Sequence, residues 1–233
     1  MVKLGSPNAF HWKLQYNEIE SQVEAQQTIL DVVNLGCVRG DRRVFRGVNF
    51  SLKPGTYLQL TGPNGSGKTS LLRILCCLLP PEEGRVEWQG AEIHSLGEDY
   101  FADVTYLGHR HGVKDELTAE ENLQITAGVN GIEFDKNAIR AALGKVGLTG
   151  RESLATRLLS EGQRRRVSLA RLILSNTKLW LLDEILTSLD TASVSLVRSL
   201  IEEHLTDGGM AIVATHQQLT LNAGHTDRLE LQT

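Results

Sequence analysis

The sequence is short of cysteine, of long apolar runs and of excess positive charge. Cysteine occurs three times in 233 residues, at Cys37, Cys76 and Cys77, with no CxxC pair and no zinc spacing. That excludes a disulfide framework and fits a reducing compartment. The longest apolar run is Ile74–Leu79, against the roughly 20 residues a spanning helix needs. Work at a membrane would therefore use a partner's spans. The opening stretch MVKLGSPNAFHWK carries no apolar h-region, so no secretory signal is expected. Acidic residues outnumber basic ones by 28 to 24, a net charge of −4, which weighs against a nucleic-acid partner. The clearest basic cluster, Arg164, Arg165, Arg166 and Arg171, reads as a solvated helix face. Internal repeats and low-complexity tracts are absent.

What remains is an ordinary globular composition, 41% hydrophobic and 22% charged, at a length that buries a core without staples. Residues 1–27 are weakly patterned and read as a mobile extension, with a short helix over Ile19–Gln27. From Thr28 the pattern turns strand-like, at Leu30–Leu35 and Val44–Leu52. A short strand, Tyr57–Thr61, then runs into a glycine loop. A buried helix is expected over Lys68–Leu79, stopped by Pro80 and Pro81, with strands over Gly84–Trp88 and Val104–Leu107. Helices are expected over 118–129 and 135–146, the first opened by Thr118 and Glu121 at capping-box spacing. Further on come a helix from Ser160 to about Ser175, a strand Leu179–Leu182, a helix Ala192–Leu205, a strand Ala211–Thr215 and a last strand near Leu229. Alternating strands and helices imply an α/β fold with a mixed or largely parallel sheet. Residues of about 109–165 form an inserted helical subdomain within a domain spanning 28–233.

Gly62–Thr69 reads GPNGSGKT, a full G-x-x-x-x-G-K-[ST] phosphate loop between an apolar strand and a helix. The pattern turns backbone N–H groups inward around phosphates at a helix N-terminus. Gly62, Pro63, Asn64, Gly65, Ser66, Gly67, Lys68, Thr69 and Ser70 are the expected nucleotide contacts. Lys68 would reach the β- and γ-phosphates, and the Thr69 hydroxyl would bind Mg²⁺. The strand Leu179–Leu182 ends in Asp183 and Glu184. A buried strand explains the apolar run but not two acids at its mouth, because unpaired buried charge is costly. Asp183 is expected to hold Mg²⁺, and Glu184 to activate the attacking water as general base. Leu159–Gln163, LSEGQ, is by itself a good helix start, with Ser160 as cap and Gln163 at the box position.

Taken in order, the phosphate loop, LSEGQ, Asp183–Glu184, Thr187–Asp190 (TSLD) and Ala214–His216 (ATH) resemble the ATP-binding cassette (ABC) family of P-loop ATPases, from about residue 28 to the end. The family signature is LSGGQ, so Glu161 departs from it while Ser160 and Gly162 match. The resemblance implies an ABC-type nucleotide-binding domain that hydrolyses ATP with Mg²⁺. It implies that His216 contacts the γ-phosphate, and that Asp190 belongs to the loop between two subunits. It also implies an ATP-dependent homodimer in which Ser160, Gly162 and Gln163 of one copy face nucleotide held by the other.

Three places depart from the family pattern. The aromatic that stacks on adenine should fall at Arg39; its guanidinium, or the softer Val38 or Phe45, would replace it. The glutamine that links the site to a transport partner should fall near Tyr106–Arg110, where His109 or Arg110 stands; His109 is thereby an indirect candidate at the metal, and His109–His111 is weighed as a metal site. Ile185 replaces the usual proline. Val86–Gly90 (VEWQG), Tyr106–His109 (YLGH), Leu117–Asn122 (LTAEEN) and Gly162–Leu172 (GQRRRVSLARL) resemble the branch of the family that serves cytochrome c maturation. That implies a peripheral subunit on the cytoplasmic face of the bacterial inner membrane, joined to integral membrane permease subunits and supporting haem export or release of a haem chaperone. The alternatives are an exporter ATPase for another cargo, or a soluble cassette ATPase.

Overall fold

The computed structural model describes residues 29–108, 112–129, 135–187 and 189–232. The expectations for residues 1–27, for His109 to His111 and for the turn after Gly128 fall wholly or mainly outside them. The described residues open with a long hairpin, β1 (Leu30–Arg39) and β2 (Arg42–Leu52), closed by Gly40 and Asp41. β3 (Thr56–Thr61) leads through the glycine loop into α1 (Lys68–Leu75). β4 (Glu83–Trp88), the two-residue β5 (Ala91–Glu92), α2 (Ile93–Leu96) and α3 (Glu98–Ala102) follow, then β6 (Val104–Leu107). α4 (Ala119–Val129), α5 (Lys136–Lys145), a 3₁₀ turn at Thr156–Leu158 and α6 (Glu161–Leu174) form the helical stretch. β7 (Leu179–Asp183), α7 (Thr191–Thr206), β8 (Met210–Ala214) and β9 (His225–Glu230) complete the chain.

Among the described residues two sheets form rather than one. β2-β1-β4-β5 is entirely antiparallel, and β6-β7-β8-β3-β9 is entirely parallel. The antiparallel sheet follows from the tight Gly40–Asp41 turn, which only an antiparallel pair can use. In the parallel sheet, every residue of β3, β7 and β8 is buried, as expected when both faces are covered. Alternation along β7 divides the core. Leu179 and Leu181 face the antiparallel sheet and α1, whereas Trp180 and Leu182 face the helices α4 to α7.

The first helix ends earlier than Pro80 and Pro81 suggest. Cys76 caps it, and Cys77 takes a left-handed φ of 55°. Cys77 N–H donates to Ile74 O at 2.9 Å, and Leu78 N–H to Arg73 O at 2.8 Å. These are the two bonds of a Schellman ending, with cysteine at the place glycine usually takes. At the other end of the sheet's support, Thr118 N–H donates to Glu121 Oε2 at 2.8 Å and Glu121 N–H to Thr118 Oγ1 at 3.1 Å, so the expected capping box opens α4.

β7 and α7 are pinned together by an uncommon contact. The His204 imidazole stacks on the Trp180 indole with centroids 3.8 Å apart and planes 4° apart, and its Nε2 meets Met210 O at 3.1 Å. A Cβ at Gly209 would land on the imidazole, so glycine makes room for the ring. Burial holds the His204 pKa below its ordinary value. The unfolded chain therefore binds the extra proton first as pH falls, and the stability from this stack is lost below about pH 6.5. Melting temperatures of the wild type should accordingly drop more between pH 7.5 and 5.5 than those of His204→Gln. Equal drops would show that His204 does not govern the acid limb.

Candidate functional site

Parallel strands put their C-terminal ends on one edge, and register makes those ends level here. Leu60 of β3 and Asp183 of β7 both pair with Ala214 of β8. The glycine loop, Asp183–Glu184 and Thr215–His216 thus leave the sheet side by side, at the place where α/β folds collect ligands.

The loop is built by backbone freedom. Gly62, Gly65 and Gly67 have φ of 140°, 82° and 101°. A side chain on Gly62 would strike Leu231 O and Ser66, and one on Gly67 would strike Val44 and Phe45. The loop is therefore pressed between β9's exit and β2, and only glycine fits those two positions. Gly67 caps α1 with no side-chain bond, so the first helical N–H groups are left for a ligand. Lys68, 5% exposed, folds back over the loop and donates from Nζ to Gly62 O at 2.9 Å and Pro63 O at 3.2 Å. These two carbonyls satisfy a buried ammonium that arriving phosphate oxygens can take over. The buried Ser66 hydroxyl has no hydrogen-bond partner in this arrangement.

Asp183 lies beneath the loop. Thr69 Oγ1 donates to its Oδ1 at 3.2 Å, and Tyr106 Oη to its Oδ2 at 3.4 Å. Burial pushes the carboxyl pKa up and the Glu184 charge adds to this, while the Thr69 and Tyr106 donors and Arg73 oppose it. A hydroxyl and a carboxylate in contact, beside a phosphate loop, are the hard-oxygen donor set that Mg²⁺ prefers. The residues present therefore fit the ion.

Glu184 adopts a left-handed φ of 53°, turning its side chain out of the strand direction. Its N–H donates to Ala214 O at 2.9 Å. From α6, the Arg165 guanidinium donates to Glu184 O at 2.9 Å and to Ile185 O at 3.3 Å. Holding a glutamate in this sparsely populated conformation costs about 1–3 kcal/mol, and these bonds supply the restraint. Glu184 Oε1 stands 3.8 Å from His216 Nε2, which also meets Asn64 Oδ1 at 3.1 Å. His216 thus bridges the phosphate loop and the acidic turn.

A cavity of about 330 Å³ opens above this edge, lined by Arg39, Arg42, Val44, Asn64, Gly65, Gly67, Lys68, Thr69, Ser70 and Glu184. Gly62, Pro63 and Ser66, in the same loop, do not line it. Val44, rather than Val38 or Phe45, supplies the apolar wall; Phe45 is 5% exposed and packs under Gly67. Ser160, Gly162, Gln163 and Asp190 do not line it. Ser160 Oγ accepts from Gln163 N–H at 3.2 Å, and Ser160 N–H donates to Gln163 Oε1 at 3.0 Å, a complete capping box at α6. A side chain on Gly162 would meet nothing within 4 Å, so this helix end is open. Asp190 caps α7 by accepting from Ser193 N–H at 2.8 Å and lies 3.9 Å from Arg166; the Ser193 hydroxyl, and then its N–H, lower the Asp190 pKa. His109 lies outside the described residues.

Tyr106, Arg165, Arg42 and Val44 are site residues that the sequence reading did not assign. Tyr106 is found only through the β6–β7 register, which sets it opposite Leu181. Arg165 looked like part of a solvated basic face, but it is 5% exposed and braces the Glu184 turn.

Residues 45–187 match the family described as ABC transporter. The cytochrome c biogenesis ATP-binding export protein CcmA of Nitrosospira multiformis is 54% identical over 202 residues, 87% of this chain and 98% of that protein. The protein of the same name from Nitrosomonas europaea is 52% identical over 83% of this chain and 91% of its own length. Among solved structures, a Pyrococcus furiosus chain assigned as an ABC transporter ATP-binding protein superposes with a TM-score of 0.74 at 27% identity, covering 86% of this chain and 96% of that one.

Proposed function

The chain belongs to the ABC transporter family, and from that premise we infer that it is the ATP-hydrolysing subunit that powers export for cytochrome c biogenesis, the role named for relatives about half identical to it. The observation that carries the ATPase reading is the meeting of Thr69, Asp183, Glu184 and His216 at one sheet edge under the glycine loop.

The mechanism follows from that geometry. Loop N–H groups and the α1 N-terminus receive the β- and γ-phosphates, and Lys68 turns from the Gly62 and Pro63 carbonyls toward them. Thr69 and Asp183 would hold Mg²⁺, which when bound neutralises charge on the phosphate oxygens. Glu184 accepts a proton from water in line with the γ-phosphate, and His216 orients that phosphate while Asn64 holds its ring. Ser160 and Gly162 sit at an open helix end outside their own pocket, so they close over the nucleotide of a second copy. The pair has two composite sites related by two-fold symmetry. Among the described residues no helix is long and apolar enough to cross a membrane. The export role named for its relatives supports a place for the subunit on the cytoplasmic face of the inner membrane, against integral permease subunits that supply the spans. The output is haem delivery to c-type cytochromes, by carriage of haem or by release of a haem-loaded chaperone.

The test is haem staining of c-type cytochromes in the native host after deletion of the gene. Stained cytochromes should disappear and return with the wild-type gene but not with Glu184→Gln. Normal staining in the deletion strain would remove the cytochrome assignment and leave the ATPase standing.

A further inference from the structure

The start of α6 holds charge of both signs within one turn. Glu161 is its first residue and the acid of its first turn. Arg164 follows three positions later, on the same face of the helix. The Arg164 guanidinium donates from Nη2 to Glu161 Oε2 at 2.7 Å. The glutamate side chain is 69% exposed and the arginine side chain 27%, so the carboxylate is the outer member of the pair. The next two arginines are engaged further in. Arg165 braces the Glu184 turn, and Arg166 donates to Ser193 Oγ at 3.1 Å. The Glu161 charge is also felt at Arg165, where it opposes the effect of burial on that guanidinium.

The helix end is built without Glu161. Ser160 and Gln163 complete the capping box between themselves. What Glu161 adds is a negative charge at the positive end of a helix dipole, the place where such an end attracts an anion. Beside it, a side chain on Gly162 would meet nothing within 4 Å, so a second anion has room to approach. In the closed pair that second anion is the γ-phosphate on the partner's phosphate loop. It arrives at an end where a carboxylate already stands, and like charges repel more strongly as water leaves between them. Arg164 offsets part of this repulsion, because its guanidinium is held against the carboxylate. One helix end thus carries both a competitor for the phosphate it must receive and a cation that restrains the competitor.

Resting on the composite-site reading above, we propose that Glu161 sets the ATP concentration at which two copies pair: its carboxylate repels the partner's γ-phosphate, and Arg164 lowers that repulsion by pairing with it. Neither residue lines the chain's own pocket. Both therefore act on pairing and leave nucleotide binding by the single chain unchanged.

The test uses the full chain in the Glu184→Gln background, where hydrolysis does not drain the paired state. The quantity is the ATP concentration that gives half dimer in analytical ultracentrifugation. Adding Glu161→Gln should lower it about fivefold or more, and adding Arg164→Ala alone should raise it. Made on top of Glu161→Gln, Arg164→Ala should change it by less than about twofold, because no carboxylate is left to offset. The gain from Glu161→Gln should shrink as salt rises from about 0.05 to about 0.5 M. Calorimetric ADP binding by the single chain should be the same in every variant. Glu161→Gln should also melt slightly lower, since an acid in the first turn stabilises a helix. Pairing that weakens in step with that loss would mark a merely structural role and overturn the proposal. So would an unchanged half-dimer concentration. An Arg164→Ala effect that persists without Glu161 would give the arginine a contact of its own and overturn its part as neutraliser. Failure of Glu184→Gln itself to pair at any ATP concentration is a separate outcome, which removes the composite site on which the proposal rests.

Discussion

Glu184→Gln should bind ATP at least as well as wild type, hydrolyse it about two to four orders of magnitude more slowly, and accumulate as an ATP-bound dimer. Glutamine keeps the shape of the side chain and leaves the backbone supports untouched. The Glu184 N–H still donates to Ala214 O, and Arg165 still donates to the residue 184 and 185 carbonyls. What is lost is the carboxylate proposed to take the proton of the attacking water. Removing a negative charge close to the γ-phosphate also relieves repulsion in the ground state, so binding should not weaken. The measurement is a pair: phosphate release under saturating ATP, and size-exclusion chromatography with and without ATP. A variant that releases phosphate at the wild-type rate would take the general-base role away from Glu184. Slow hydrolysis without a dimer would leave that role standing and place the closed state in question.

This expectation rests on features of different legibility in the sequence. The β7 run and its two acids were readable because an interior parallel strand must be apolar on both faces, so charge can appear only where the strand ends. The capping boxes at Thr118 and Ser160 were readable because both partners lie within one helical turn. The end of α1 was not, since the left-handed position that usually announces itself as glycine holds Cys77, and Pro80 and Pro81 drew attention further along. The antiparallel sheet was hidden for another reason. β1 pairs with β4 across the whole phosphate loop and α1, and no local pattern specifies that register. Arg165 illustrates the same limit at the site. Three consecutive arginines on a helix look solvated, and only the packing of α6 against the turn after β7 shows that the middle one is buried. His216 was placed by the order of motifs, whereas its bond to Asn64 required the levelled ends of β8 and β3.

Ser160→Arg should leave nucleotide binding by the single chain within about threefold of wild type while abolishing ATP-driven dimerisation. The first half follows because Ser160 caps α6 and does not line the chain's own pocket. The second half follows from what the substitution places at an open helix end, where even Gly162 has nothing within 4 Å of its missing side chain. A long cation there occupies the space that the partner's nucleotide must enter, and it displaces the small hydroxyl suited to a phosphate oxygen. Two local effects must be separated from this. Loss of the cap costs about 1 kcal/mol of stability, and a cation in the first turn opposes the helix dipole by about 0.3–1 kcal/mol. Ser160→Ala shares the first effect without the bulk, so it should melt slightly lower than wild type yet still dimerise. The decisive comparison is made in the Glu184→Gln background, where the dimer would otherwise persist. Glu184→Gln alone should elute as a dimer with ATP, and Glu184→Gln/Ser160→Arg as a monomer that still binds ATP. A double variant that remains dimeric would show that α6 does not face the partner's nucleotide. The composite site would then have to be abandoned, whereas the meeting of the phosphate loop with Asp183 and His216 would stand.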